Sequence, residues 1–367
     1  MKPPGLAELR RYAIARSLFK PTTLPKAIAR LGFVQADPIR APANAQDLTL
    51  RHRVVGYRAG DLERRYPRLP IEEDFFINYG FMPREVHALM HPRTARQSWT
   101  KSRWKKARAL LDYVRANGVV HPRAVNAHFE HGKVTNWFGG SSNASTQLLD
   151  GMHYRGLLRI ARREGGVRLY AARESNAVAA DAAATLDKLV DVAVNLYAPL
   201  PAQTLGRLVL MLQHAVPHWR DARKDALARA RARLPNATVG GHTWYWPAGE
   251  DPRSRRHRVP DEVRLFAPFD PVVWDRKRFE IFWGWAYRFE AYTPAAQRVR
   301  GYYALPLMWR DAVVGWGNLS VVDARLVPEL GFTRGRAPGE PAFRRALDAE
   351  LARIETFLGL GRLRTSP

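Results

Sequence analysis

WKKARALLDYVRANG (104–118), VVHPRAVNAHF (119–129), SSNASTQLLDGMHYRG (141–156) and LLRIARREGGVRLYAAR (157–173) lie close together in the chain, and together they decide the fold. In the first, apolar residues recur every three or four positions until Asn117-Gly118 stops the pattern, which predicts an amphipathic helix. The second restarts at Pro122 as a shorter helix. The third opens on Ser and Asn and closes at Gly156. The fourth alternates and then reverses at Gly165-Gly166, the signature of a two-stranded hairpin. Three helices followed by a hairpin predict a winged helix, an architecture whose third helix enters the major groove while the wing lies along the backbone.

Working outward, LAELRRYAIARSLF (6–19) and TLPKAIARLGF (23–33) predict two helices, the second with Thr23 as N-cap and Gly32 as its stop, followed by the short extended piece FVQAD. Helical stretches follow near AQDLTLRHRV (45–54) and GDLERRYPRL (60–69). Residues 185–216 give helix, Pro-bounded turn and helix again, and 221–234 a short basic helix. From residue 263 the pattern changes to β-branched and aromatic stretches, VRLFAPFDPVVWD, RFEIFWGWAYRFEAYTP and RGYYALPLMWRDAVVGWGNLSVV, with Arg310-Asp311 as a hairpin tip; residues 340–360 close the chain as a helix. The expected fold class is mainly α with β: tandem winged-helix (helix-turn-helix) units plus a C-terminal β-rich domain, divided at 1–98, 99–175, 176–257 and 258–367.

The charge points to a partner class. Lys plus Arg number 59 and Asp plus Glu 34, a net +25 with pI near 10.9. A high-GC codon bias explains Arg over Lys but not the excess of positive charge, so a polyanion, with DNA foremost, is the expected partner. The absence of cysteine excludes disulfides, thiol nucleophiles, zinc fingers and Fe–S clusters. No P-loop, GxGxxG or GxSxG occurs. The sequence holds no apolar run of membrane-spanning length, and its N-terminus has no signal-peptide apolar region, so a cytoplasmic, nucleoid-associated protein is expected. His87 and His91 stand at ligand spacing in EVHALMH, without HExxH and without an evident third ligand. No metal and no cofactor are expected.

VQADPIRAPANAQDLTLRHRV (34–54) carries the chemistry of interest. Gln35 and Asp37 alternate along an extended piece and so share a face. A carboxylate beside an amide can hold and polarise one water, although from spacing alone such residues more often serve as caps at a turn. Arg40, Arg51, His52 and Arg53 bring positive charge nearby. GGSSN (139–143), ahead of the third helix of the winged-helix segment, reads either as a phosphate-holding loop or as an ordinary capped one.

The run PFDPVVWDRKR (268–278), within residues 265–315, strongly resembles the winged-helix DNA glycosylases of the YcaQ/AlkZ type, which unhook interstrand cross-links. The Gln-x-Asp element with its following LTLxxR-like helix, and residues 137–170 with their wing, resemble the same family. The resemblance implies a concave basic cradle for double-stranded DNA and hydrolysis of the N-glycosidic bond of N7-alkylguanine, including both halves of a cross-link. No Lys nucleophile is needed for this chemistry, so a monofunctional enzyme without lyase activity is expected. It places the catalytic positions on Gln35 and Asp37. Expected DNA contacts are Arg40, Arg51, Arg53, Lys133, Trp137, Asn143, Arg162, Arg163, Arg168 and Arg276. A monomer is expected. Departures from the family pattern fall at Asn78, Tyr79 and Gly80, at Trp316, Asn318 and Ser320, and at Asn44, where relatives often carry Arg. The rival reading is a winged-helix DNA-binding regulator without catalysis.

Overall fold

The computed structural model describes residues 3–95, 97–129, 132–135, 141–174 and 181–360. The chain begins with α1 (Leu6–Ser17), α2 (Leu24–Leu31), the two-residue β1 (Val34–Gln35), α3 (Ala45–Leu50) and α4 (Asp61–Arg65). β2 (Ile71–Phe75), β3 (Tyr79–Pro83) and α5 (Arg84–Ala88) follow. The three strands form an antiparallel sheet in the order β1-β3-β2. α2 packs against β3, and Leu9 and Tyr12 of α1 and Leu24 and Ile28 of α2 are fully enclosed.

The stretch that opened the sequence argument folds as α6 (Lys101–Asn117), β4 (Val119–Val120), α7 (Pro122–Phe129), a small ladder of β5 (Lys133–Thr135) and β6 (Ser141–Asn143), and then α8 (Ala144–Tyr154). β7 (Leu158–Glu164) and β8 (Val167–Ala172) complete it, with strand order β4-β8-β7. Thr100 caps α6 by accepting the Arg103 amide at 3.2 Å, and Ala107, Leu110 and Val114 bury one stripe of that helix. The hairpin turns on Gly165 and Gly166, whose φ of 55° and 83° form the left-handed pair that a two-residue turn between twisted strands requires.

α9 (Ala182–Tyr197), β9 (Leu200–Pro201), α10 (Ala202–Met211), α11 (Arg223–Arg233), β10 (Asn236–Val239) and β11 (His242–Tyr245) come next, with sheet order β10-β11-β9. The last part holds β12 (Val263–Leu265), α12 (Arg276–Trp283), β13 (Leu305–Trp309), β14 (Ala312–Val322), β15 (Arg325–Phe332) and α13 (Pro341–Leu358). Its four strands run in sequence order, all antiparallel, and Arg310-Asp311 joins β13 to β14. The whole is a mixed α/β chain of small local sheets.

One expectation is corrected. RFEIFWGWAYRFEAYTP was expected to be β-rich, but it begins inside α12 and continues without a strand to residue 294. Asp275 caps that helix, its side chain accepting the Arg278 amide, and Gly284 ends it in the left-handed region. Phe279 and Phe282, three apart, are buried. Aromatic richness imitated a strand, whereas the spacing is helical. Among the described residues no helix is long and apolar enough to cross a membrane.

Candidate active site

Gln35 ends β1 directly opposite Gly80 of β3. Gly80 is there because its backbone must come close: a Cβ would lie 2.3 Å from the Val34 carbonyl and 2.6 Å from the Phe33 ring. The preceding turn brings Asn78 onto Gln35, and Asn78 Nδ2 donates to Gln35 Oε1 at 3.0 Å. From the far end of the chain, Trp274 Nε1 donates to the same oxygen, also at 3.0 Å. Among the described residues no acceptor meets Gln35 Nε2.

Asp37 lies just beyond the strand, half-buried. Its Oδ1 accepts the Ile39 amide at 2.9 Å across the Asp-Pro-Ile turn, and its own amide faces Gln46 Oε1 at 3.3 Å. The capping role considered from sequence is thus real, but it uses one oxygen. Among the described residues no donor meets Oδ2. Burial pushes the Asp37 carboxyl above the usual carboxylate range, and the Ile39 bond opposes this in part. Asp37 lines a cavity of about 440 Å³ together with Arg40, Asn44, Phe75, Tyr79 and Arg168. Tyr303, 2% exposed, carries a hydroxyl with no partner among the described residues. Its burial, then the charge of Asp37, raise its pKa.

The family model for AlkZ-like DNA glycosylases matches residues 28–357. The chain belongs to this family. It is also similar in fold to the DNA glycosylase AlkZ of Streptomyces sahachiroi, with a TM-score of 0.63 at 15% identity over 99% of both chains. It is a DNA glycosylase, and DNA is its substrate.

In this AlkZ-like glycosylase the expected DNA contacts divide. Arg53 is corrected outright: fully enclosed, it grips Asp270 with both Nη atoms at 2.7 and 2.9 Å and donates to the Ser17 and Thr49 carbonyls. Arg51 is corrected for the same reason, its side chain 4% exposed against Glu350 at 2.6 Å. Charge counted in sequence does not reveal burial, and a cation enclosed with its carboxylate cannot reach a phosphate. Arg163 and Arg168 flank the cavity but share the buried Glu73, whose carboxylate they hold below its usual range against the opposing effect of burial. Arg276 is half-buried, donating to the Val273 carbonyl at 2.6 Å with its guanidinium over the Tyr287 ring. Arg40 and Asn143 are exposed, as is Arg162, which pairs with Glu164 at 2.8 Å. Trp137 and the Lys133 side chain lie outside the described residues, as does part of GGSSN.

His87 and His91 stack at 4.3 Å, each with Nε2 near Asp74 Oδ2, at 3.1 and 2.9 Å. Asp74 is thus the third partner that sequence spacing did not reveal. Arg93 Nη1 meets its other oxygen at 3.0 Å and Arg173 lies against His87, so cations already stand beside this acidic group. Sequence reading also missed Trp274, although it sits inside the PFDPVVWDRKR run, and it noted Asn78 only as a departure from the family. Their partner was the missing information, since 239 residues separate Gln35 from Trp274.

Proposed function

We propose that the enzyme hydrolyses the N-glycosidic bond of N7-alkylated guanine in duplex DNA, with Asp37 at the reacting carbon and Gln35 beside it. The observation that carries this reading is the divided Asp37 carboxylate: one oxygen is tied into a turn, and the other, half-buried on a cavity, meets no donor among the described residues. A carboxylate made more basic by burial suits both tasks of the reaction. N7-alkylation makes the purine cationic, so it leaves as a neutral base and needs little acid help. As the C1′–N9 bond breaks, its electron pair departs with the base and positive charge develops on the sugar, which Asp37 stabilises. Water then bonds to C1′, and its proton passes to Asp37 and on to solvent. No amine nucleophile is required, so the enzyme is monofunctional.

Interstrand cross-links present the same leaving group at each end and belong to the same substrate class. In this reading 1–98 carries the Gln-x-Asp element, 99–175 is a winged helix with α8 entering the major groove, 176–257 is a further helical unit and 258–367 closes the site. Arg40, Asn143 and Arg162 lie along the DNA backbone, and the protein works as a nucleoid-associated monomer. The test is incubation of purified protein with a duplex containing N7-methylguanine. Free N7-methylguanine should appear together with an abasic strand that breaks only after alkali. No base release would overturn the assignment, and strand cleavage without alkali would overturn the monofunctional reading.

A further inference from the structure

We infer that Trp274 and Asn78 are positioning residues that lock the Gln35 amide with its oxygen inward and its nitrogen outward, so that Gln35 serves the reaction solely as an N–H donor. This rests on Gln35 and Asp37 forming the site proposed above. The decisive atom is the indole nitrogen, which can donate and cannot accept. With Trp274 Nε1 3.0 Å away, the atom of Gln35 facing it must be the oxygen. Asn78 Nδ2 adds a second donor to the same oxygen at 3.0 Å, and turning the Gln35 amide by 180° would set N–H groups against the indole N–H and lose the Trp274 bond.

Trp274 is itself held hard. Its ring stacks on Tyr197 at 4.4 Å, with the Arg207 guanidinium 4.7 Å from its centre. The amides of Val273 and Trp274 both donate to the Asp270 carbonyl at 2.8 Å, while Asp270 Oδ1 accepts the Val272 amide at 3.0 Å. The Asp270 carboxylate is clasped by Arg53. The most distinctive run of the sequence therefore aims an indole N–H at Gln35 from a turn anchored by a buried ion pair.

The donor assignment fixes the order of proton movement. A water at the site accepts from Gln35 Nε2 and donates to Asp37 Oδ2, which leaves a lone pair for C1′. The O–C1′ bond forms as the C1′–N9 pair departs on the neutral base, and Asp37 alone receives the proton. Gln35 orients and does not deprotonate.

The test is a double-mutant cycle in single-turnover release of N7-methylguanine, using the full chain. Trp274→Phe keeps an aromatic ring and removes the N–H; it should slow release by about 10- to 100-fold, the scale of a misplaced reacting group, with DNA affinity unchanged. In a Gln35→Ala background the same substitution should have no further effect, because its route of action is gone. Equal losses in both backgrounds would overturn the proposal and mark Trp274 as merely structural. Asn78→Ala, made on a different segment, carries the same test if Trp274→Phe folds poorly. A spectroscopic readout is independent of turnover: the Trp274 indole N–H resonance should shift and exchange faster in Gln35→Ala, and an unmoved resonance would refute the bond. Wild-type release by Gln35→Ala would instead sink the underlying site assignment.

Discussion

Asp37→Asn separates the turn bond that the structure shows from the catalytic role proposed for this side chain. The turn should survive, because an Asn Oδ1 can accept the Ile39 amide as Asp Oδ1 does at 2.9 Å, and Asp and Asn cap about equally well. Burial raises the Asp37 pKa in the folded state, so the ionised form loses stability once pH exceeds the unfolded value. At neutral pH Asn escapes that cost, and the variant should melt at the wild-type temperature or slightly above it. Catalysis should go the other way. Loss of a positioned base typically removes about 10²- to 10⁴-fold in rate, or about 2.7–5.4 kcal/mol of barrier at about 1.36 kcal/mol per decade. Single-turnover release of N7-methylguanine, with thermal melting and duplex binding measured on the same preparation, reads all three quantities. Release within a few-fold of wild type would refute the placement of the base at Asp37. A large drop in melting temperature with parallel loss of binding would show the residue to be structural.

Four further outcomes follow from the same geometry. Arg53→Met should cost about 3–5 kcal/mol of stability by stranding Asp270 without its partner, yet leave the salt dependence of DNA binding unchanged; a phosphate contact would instead lower that slope by about 0.9. The kcat/KM profile should rise with pH through an apparent pKa above the ordinary aspartate range, because the working form of Asp37 is the base; a limb at or below the ordinary range would contradict it. His87 and His91, chiefly through burial, have pKa values lowered to about 3 and about 4, against about 6.5 for an unfolded histidine. The unfolded chain therefore binds more protons from about pH 6.5 down to 4, and the melting temperature should fall across that window, less so in the His87→Gln/His91→Gln double variant. Tyr303→Phe removes a buried hydroxyl without a partner among the described residues, so melting should hold or rise while base release falls; unchanged release would show that the hydroxyl does not meet the substrate.

Local pattern carried much of this protein. The helical stripe of Ala107, Leu110 and Val114, the start of α8 at Asn143 and the glycine pair at 165–166 were all readable, because each is set by neighbours within one turn. The failures were long-range. α12 was hidden because its aromatic residues suit a strand by type, whereas Phe279 and Phe282 are buried at helical spacing. Arg51 and Arg53 looked like surface charge because their carboxylates, Glu350 and Asp270, stand hundreds of positions away. Gln35 and Asp37 could be singled out as sharing a face, but spacing alone favoured turn capping over a water-holding role. Family resemblance supplied the catalytic expectation, and the surroundings of the pair came only with the fold.

The bond between Gln35 and Trp274 also has a consequence in time. A ribosome releases Gln35 and Asp37 early and Trp274 much later, so a nascent or truncated chain carries both side chains before the indole that orients one of them exists. Under the amide lock proposed above, base excision stays slow until synthesis has passed residue 274, about three quarters of the way along the chain.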